Sequence, residues 1–137
     1  DIDIYGNLMK EKYETLKIDE NTSGWNLASI GEVKSNFFKH TDINENLILV
    51  KGKVEDTLLI SENIPEKISL LKLDTSLYEG TKIELEVLFP KVQKGGAVIV
   101  EGYLKFNGVK KAVDDYFSNK NYLVKNSTIT SRAIIFL

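Results

Sequence analysis

Residues 68–101 read ISLLKLDTSLYEGTKIELEVLFPKVQKGGAVIVE, in which two apolar runs that each end in an acid flank an amphipathic segment. The first run, residues 68–74, is nearly continuous in apolar residues, as in a strand that is buried on both faces. Gly95 and Gly96 then turn the chain into the second run, which begins at Ala97 and reaches its acid at Glu101. A strand, a helix and a second strand in this order predict two neighbouring parallel strands.

The predicted helices have recognisable starts. Ser76 and Glu79 have the spacing of a capping box, in which two side chains satisfy free backbone N–H groups at the start of a helix. Ser29 and Glu32 have the same spacing, immediately before a helix predicted at residues 30–39. A third helix follows a turn, because apolar residues recur there on one helical face: Val109, Ala112, Val113, Tyr116 and Phe117.

The remaining chain contains three further predicted strands and a polar start. Residues 46–54 read as a strand, and residues 122–125 and 132–137 read as a closing antiparallel pair joined by a polar turn. Residues 1–28 are mostly polar and aperiodic, so we predict a loop or ragged amino-terminal segment there. Residues 29–137 are then predicted to form a single α/β domain.

Composition restricts the class of partner. The 137 residues are 42% hydrophobic and 28% charged, which is typical of a soluble domain with one core. The 18 basic and 20 acidic residues are scattered and give a net charge of −2, so we expect neither nucleic acid nor a membrane as a partner. The chain has no cysteine, which suits a reducing compartment and favours the cytoplasm.

Two acids, Asp74 and Glu101, come at the predicted carboxyl ends of neighbouring strands. In an open α/β sheet, ligands bind at this edge. Carboxylates from adjacent strands suit a hard divalent cation such as magnesium, which needs only a few of them. In the simpler interpretation, Asp74 caps the following helix and Glu101 is a solvated acid in a loop. Spacing alone leaves both interpretations open.

The stretch from Trp25 to Phe117 contains four long and specific pieces: GWNLASIGEVKSNF, VKGKVEDTL, NIPEKISLLKLDTSLYEGTKIELEVLFPKVQKGGAVIV and GVKKAVDDYF. These pieces resemble the macrocin O-methyltransferase family, which includes the novobiocin-pathway sugar methyltransferases. The resemblance implies a Rossmann-like three-layer fold for methyl transfer from S-adenosylmethionine to a small-molecule hydroxyl. It also implies a divalent cation, Mg²⁺, that polarises the hydroxyl while a carboxylate removes its proton.

Position by position, the family pattern is similar to LDTDLYEST followed by IIDDYG, and the first Asp and the later Asp pair are the implied metal ligands. Asp74 keeps the first of these positions. Ser76 stands at the position of the implied catalytic base, where a neutral hydroxyl cannot take up a proton near neutral pH. Glu101 and Gly102 stand at the Asp pair, so one implied carboxylate is longer by a methylene and the other is absent. These changes predict altered or lost activity.

The cofactor side is less well represented. The resemblance implies two earlier strands, with a glycine-rich turn and an acid for the ribose, and neither is recognisable here. The part of the cofactor site that the resemblance still places in this chain is the adenine edge, the segment that packs against the adenine base. The resemblance assigns four residues to it, around the end of the strand at 46–54: Gly52, Val54, Glu55 and Asp56. A surface turn is the simpler interpretation of these residues. We therefore predict an incomplete methyltransferase fold that lacks the amino-terminal cofactor strands.

Three functions remain open. The leading one is a methyltransferase-like domain of sugar or natural-product O-methylation that is inactive as this chain alone. The others are a non-catalytic interaction or scaffold module and a truncated fragment of an active methyltransferase. The chain begins with Asp1 and not with Met, which suits processing and a fragment equally.

The implied strand order predicts how the chain is completed. In that order, the two unrecognised strands lie between the strands at 46–54 and 68–74. An unpaired apolar strand is an aggregation hazard unless another strand covers it. We therefore expect these two strands to pair with each other, or a second copy or another partner chain to cover their edges.

Overall fold

The computed structural model describes residues 1–20, 22–25, 27–40, 46–127 and 132–136. Its helices are α1 (Met9–Thr15), α2 (Ile30–His40), α3 (Val54–Thr57), α4 (Tyr78–Leu88) and α5 (Asn107–Phe117). Its strands are β1 (Lys17–Asp19), β2 (Thr22–Ser23), β3 (Ile68–Leu73), β4 (Val92–Val100), β5 (Val124–Ser127) and β6 (Arg132–Phe136), with 3-10 turns at Ser61–Asn63 and Phe89–Lys91. None of the described helices combines the length and the apolarity needed to cross a bilayer.

Contacts between residues divide the chain into two compact units, residues 10–51 and residues 1–9 together with 52–137. The domain boundary predicted at residue 28 stays a prediction. Residues 10–51 contain α2 and a hairpin in which β1 and β2 run antiparallel. The Ser29 N–H donates to the Glu32 carboxylate at 2.8 Å, and the Glu32 N–H donates to Ser29 Oγ at 3.2 Å. The predicted capping box and its helix are therefore confirmed.

The strand predicted at residues 46–54 is wrong. Residues 46–53 form neither helix nor strand, and Val54 begins α3. An extended segment becomes a strand only when a neighbour satisfies its backbone N–H and C=O groups. The alternating apolar residues here are not enough, because Ile48 is 84% exposed. The predicted pairing of this segment with the strand at 68–74 is therefore also wrong.

The unit of residues 1–9 and 52–137 is built on a four-stranded sheet in the order β3–β4–β6–β5. β3 and β4 are parallel, with Leu70 opposite Ala97 and Leu73 opposite Val100, and α4 connects them. β6 runs antiparallel to both β4 and β5. The predicted strand–helix–strand unit and closing antiparallel pair are confirmed, although residues 128–131 of the predicted turn lie outside the described residues.

One face of this sheet supplies the core. Its fully or nearly fully buried side chains come from three strands and two helices: Leu71, Leu73, Val98, Val100, Ala133, Ile135, Leu85, Val109 and Val113. On the opposite face, Leu70 and Phe136 are 61% and 59% exposed. The expectation that residues 68–74 are buried on both faces is therefore wrong, because β3 lies at the sheet edge and Leu70 alternates away from the core.

The start of α4 also differs from the sequence prediction. Leu77 precedes the helix without a side-chain cap, so the capping box predicted for Ser76 and Glu79 does not form. Instead, the carboxylate of Asp1 accepts a hydrogen bond from the Tyr78 N–H at 2.8 Å. A carboxylate at this end balances the partial positive charge of the helix. A residue distant in sequence therefore replaces the local cap.

Residues 1–9 are held along the start of α5. The Ile2 N–H donates to Asn107 Oδ1 at 2.7 Å, and the Ile4 N–H donates to the Lys105 carbonyl at 2.9 Å. Gly108, in the first turn of α5, has no room for a side chain because a Cβ there would overlap the Asp1 carboxylate. Asp1 thus contacts the first turns of both α4 and α5.

Gly95 and Gly96 lie inside β4 and do not precede it. The register of β4 against β3 shifts between Ile68 and Leu70, which leaves extra residues on β4. Gly95 has a φ of +85°, a conformation that glycine adopts without strain. The glycine pair therefore makes an irregularity within the strand, and the predicted turn at this position is wrong.

Candidate active site

The loop between β3 and α4 carries two of the candidate residues. Asp74 directly follows β3, its side chain is 69% exposed, and its Oδ2 accepts a hydrogen bond from Lys72 Nζ at 2.7 Å. Ser76 is half-buried and ends in an uncharged hydroxyl. The position of the implied catalytic base therefore holds no group that can take up a proton near neutral pH.

Thr75, between these two residues, belongs to a buried polar cluster. Its Oγ1 donates to Glu84 Oε2 at 2.8 Å and lies 3.1 Å from Thr81 Oγ1. Thr81 Oγ1 in turn donates to the Leu77 carbonyl at 3.0 Å. Because Thr81 and Glu84 are buried side chains of α4, the helix fixes the loop that carries the candidate residues.

Glu84 is a buried acid with no described cationic partner, and it is only 8% exposed. The pKa of Glu84 is raised to about 7, mainly by burial; the hydrogen bond from Thr75 opposes this rise, whereas the nearby charges of Glu55 and Asp74 contribute to it. Perturbed acids of this kind often occur at functional sites. The Glu84 side chain therefore keeps its proton to a higher pH than an ordinary glutamate does.

Two basic side chains hold Glu101 at the end of β4. Arg132 Nε donates to both carboxylate oxygens, each at 2.7 Å, and Lys72 Nζ lies 3.5 Å from Oε1. The Glu101 side chain is 16% exposed. The hydrogen bond from Arg132 lowers the pKa of Glu101, so the carboxylate is charged at neutral pH. The sheet therefore brings Asp74 and Glu101 to one edge, and Lys72 contacts both.

Gly102 directly follows Glu101 in a tight turn with a φ of +70°. The Gly102 carbonyl accepts hydrogen bonds from the N–H groups of Lys105 and Phe106, both at 2.9 Å. A Cβ on Gly102 would lie 2.6 Å from Cδ2 of the buried Phe106 ring. The position of the second implied carboxylate is therefore closed to any side chain unless the ring and the backbone move.

This donor set, as arranged, does not fit a magnesium ion. Mg²⁺ needs near-ideal octahedral geometry with oxygen ligands at roughly 2.0–2.1 Å. Asp74 and Glu101 are instead each paired with a basic side chain of the chain itself. Across the part of the chain that the structure describes, no three His, Cys, Asp or Glu side chains are grouped closely enough to hold a metal.

The four residues assigned to the adenine edge lie in α3 and just before it. A Cβ on Gly52 would lie 2.7 Å from Thr57 Cγ2, so the close approach at this glycine comes from the chain itself. The other three residues are the first three of α3. Glu55 extends toward α4, since its Oε1 would lie 3.4 Å from a Cβ on Gly80. These contacts place the segment against the chain itself, and its assignment to the adenine edge stays a prediction.

Sequence reasoning missed Lys72, Arg132 and Phe106. The signal for Lys72 was present, because residues two apart in a strand lie on the same face and Asp74 is two residues later. Arg132 lies opposite Glu101 only because β6 pairs with β4 in a register that puts Ala133 opposite Val100. The contact of Phe106 with Gly102 depends on the turn between them, which the spacing does not determine.

The chain is similar to known methyltransferases over most of its length. The family described as Macrocin-O-methyltransferase (TylF) matches residues 9–136. The chain is 36% identical over 85 residues to demethyldecarbamoylnovobiocin O-methyltransferase of Streptomyces niveus, covering 62% of this chain and 32% of that protein. It is 31% identical over 86 residues to 8-demethyl-8-(2,3-dimethoxy-alpha-L-rhamnosyl)-tetracenomycin-C 4'-O-methyltransferase of Streptomyces olivaceus, covering 62% and 31%.

Solved structures have the same fold. The O-methyltransferase NovP superposes with a TM-score of 0.70 at 29% identity, covering 80% of this chain and 45% of that chain. CalS11, a TDP-rhamnose 3'-O-methyltransferase of calicheamicin biosynthesis, gives a TM-score of 0.57 at 25% identity, covering 77% and 46%. The predicted fold class, an incomplete Rossmann-like α/β methyltransferase fold, is therefore confirmed. The chain spans about a third of the length of the curated relatives that it matches.

Proposed function

This chain belongs to the macrocin O-methyltransferase family, and on that premise we propose that it is a methyltransferase-like domain that transfers no methyl group as this chain alone. The observation that carries the proposal is the turn at Gly102, where the positive φ and the contact with Phe106 leave no room for an acid. Ser76 supports it, because methyl transfer to a hydroxyl needs a group that removes the proton.

Glu84 does not replace the missing base. Its pKa of about 7 would suit proton transfer. However, the carboxyl group is buried on α4 and accepts a hydrogen bond from Thr75 on the inner side of the loop. A base must reach the proton that it removes, either directly or through one water. Glu84 instead supports the loop conformation.

The proposal extends to the cofactor, the acceptor and the compartment. S-adenosylmethionine is the methyl donor that the family implies, and the contacts of Gly52 with Thr57 and of Glu55 with α4 support its loss by this chain. The acceptor of the ancestral reaction is a sugar hydroxyl, as the names of the rhamnose-modifying relatives suggest. The absence of cysteine supports a cytoplasmic location.

A truncated fragment of an active methyltransferase would also be short. The coverage of 32% of the Streptomyces niveus relative supports that explanation for the length. Truncation does not account for Ser76 or Gly102, which lie inside the matched residues 9–136. We therefore favour lost activity over truncation alone.

Calorimetric titration tests the proposed function. We expect no saturable heat when S-adenosylmethionine or its demethylated product is added to the chain, with or without Mg²⁺. NovP, titrated under the same conditions, is the positive control. Methyl transfer to a nucleotide-linked deoxysugar would overturn the proposal. Binding without transfer would overturn only its cofactor part and retain the loss of the reaction.

An interaction module is the second candidate function, and the exposed edge of the sheet favours it. β3 lies at that edge and pairs with β4 alone among the described strands. Leu70, on β3, is 61% exposed. Parallel strands in α/β proteins are usually covered by neighbouring elements. We propose that a second copy or another chain covers this strand.

Size-exclusion chromatography with light scattering tests the first of these options. We expect a dimer or larger assembly, and Leu70→Lys should shift the mass toward that of a monomer, because a charge on a strand edge opposes pairing. Lys94→Glu changes an exposed side chain of β4 and serves as the matched control. A wild-type chain that is a monodisperse monomer at all concentrations would contradict self-association.

A further inference from the structure

Basic side chains of the chain itself bridge the two acids at the strand ends. Lys72 Nζ lies 2.7 Å from Asp74 Oδ2 and 3.5 Å from Glu101 Oε1. Arg132 Nε lies 2.7 Å from both oxygens of Glu101. We propose that Lys72 and Arg132 take the place of the divalent cation in this chain, so that the charges of Asp74 and Glu101 are neutralised without metal.

The charges of this four-residue cluster balance. The hydrogen bond to Asp74 raises the pKa of Lys72, and the hydrogen bonds to Glu101 raise the pKa of Arg132. These shifts favour the charged forms of the two basic side chains, whose formal charges offset those of the two acids. Arg132 occupies both oxygens of Glu101 and Lys72 occupies Oδ2 of Asp74, so a metal ion that used both acids would compete with these basic side chains.

Displacement is unfavourable for a chemical reason. Magnesium loses its water ligands reluctantly and binds where several oxygen ligands are already in place. Here both Glu101 oxygens accept from a guanidinium, which is a strong charge-assisted arrangement. Glu101 is also the less exposed acid, at 16% of its side chain.

The sheet itself positions the cluster. Lys72 lies on β3, Glu101 follows β4 and Arg132 begins β6, which are three consecutive neighbours in the sheet. Leu73 is opposite Val100, and Val100 is opposite Ala133. The ion pairs therefore join adjacent strands at the carboxyl ends of β3 and β4. Without them, a bound cation would have to offset the repulsion between the two acids.

The inference rests on the proposed function only because it treats Asp74 and Glu101 as an altered metal-binding site. It concerns metal binding, whereas the calorimetric test concerns S-adenosylmethionine. Binding of S-adenosylmethionine in the presence of a chelator, without metal binding, would overturn only the cofactor part of the proposed function and leave this inference standing. Saturable metal binding without cofactor binding would overturn this inference alone.

Titration with Mn²⁺, followed by the electron paramagnetic resonance signal of free Mn²⁺, tests the inference. Manganese prefers the same oxygen ligands as magnesium. We expect the wild-type chain to leave the free signal unchanged. We expect the double variant Lys72→Met/Arg132→Met to bind at least tenfold more tightly than the wild type, and adding Asp74→Asn to it should abolish that gain.

Lys94→Met, an exposed substitution in β4, is the matched control and should bind no more Mn²⁺ than the wild type. Circular dichroism verifies that each variant folds. If the double variant unfolds, the more conservative Lys72→Gln/Arg132→Gln replaces it, because it removes the same two charges and keeps polar side chains. Saturable wild-type binding that Asp74→Asn removes would overturn the inference. A folded variant that lacks both basic side chains and gains no binding would overturn it as well.

Discussion

Glu84→Gln should raise the free energy of unfolding near pH 8 by roughly 2–3 kcal/mol relative to the wild type. The wild-type free energy of unfolding should fall between about pH 5 and 7, and the variant should lose most of this fall. The folded-state pKa of Glu84 is raised from 4.5 to about 7, with burial as the main cause. A difference of this size corresponds to roughly 3 kcal/mol between the two protonation states. Glutamine keeps the shape of the side chain and carries no charge.

The sign follows from proton binding. Between 4.5 and about 7, the folded chain keeps the proton on Glu84 while the unfolded chain releases it. The folded state therefore binds more protons, and stability falls as the pH rises through this window. Below 4.5 both states are protonated and the group contributes nothing. Above about 7 the buried charge has its full destabilising effect, which the negative charges of Glu55 and Asp74 increase.

Urea denaturation at several pH values between about 5 and 8 measures this effect. Glu86→Gln is the matched control, because Glu86 lies on the same helix and is exposed. The control should keep the slope of the wild type. A wild-type stability that does not change across the window, or a Glu84→Gln chain that is less stable than wild type near pH 8, would contradict the prediction.

Gly102→Asp should destabilise the chain by roughly 2–4 kcal/mol, although it restores an acid at the implied metal-ligand position. The backbone φ of +70° disfavours a side chain, and the new Cβ would lie 2.6 Å from the Phe106 ring. The ring is buried, so it cannot move aside without disturbing the turn. Both costs add, because one arises in the backbone and the other in packing.

Gly95→Asp separates the two costs. Gly95 has a similar φ of +85°, but no atom lies within 4 Å of a Cβ built there. The free energy of unfolding of this variant should fall by only roughly 1 kcal/mol, which is the cost of the backbone conformation alone. Thermal or urea unfolding of both variants gives the comparison. Equal losses would show that the Phe106 contact is unimportant, and a Gly102→Asp chain as stable as wild type would refute the closed position.

The sequence predicted the parts of the fold that local periodicity encodes. The helix at Asn107–Phe117 was predictable because its apolar residues repeat on one face, and all of these but Tyr116 are buried. The strand at Ile68–Leu73 was predictable from its apolar run, but its exposed face was not. Exposure depends on the position of a strand within the sheet, and β3 is an edge strand. Residues 46–53 show the same limit, since a strand requires a neighbour.

The candidate site was predictable to the same extent. Asp74 and Glu101 lie at one edge because parallel strands end together, and strand order alone leads to that prediction. Their partners were not predictable, since Arg132 reaches Glu101 through the register of an antiparallel pair far along the chain. The cap on α4 also depends on a distant residue, Asp1, although Ser76 and Glu79 have the spacing of a local cap.

The contact between Asp1 and Gly108 has an evolutionary consequence. The Asp1 carboxylate fills the volume that any side chain at position 108 would need. An alanine at 108 would push the carboxylate away from the Tyr78 N–H, whereas loss of the acid would remove the obstacle to alanine. The residue types at positions 1 and 108 therefore constrain each other, although the two positions are far apart in the sequence. Among homologues that keep these helices, their substitutions should be correlated, with larger residues at 108 accompanying the loss of the acid.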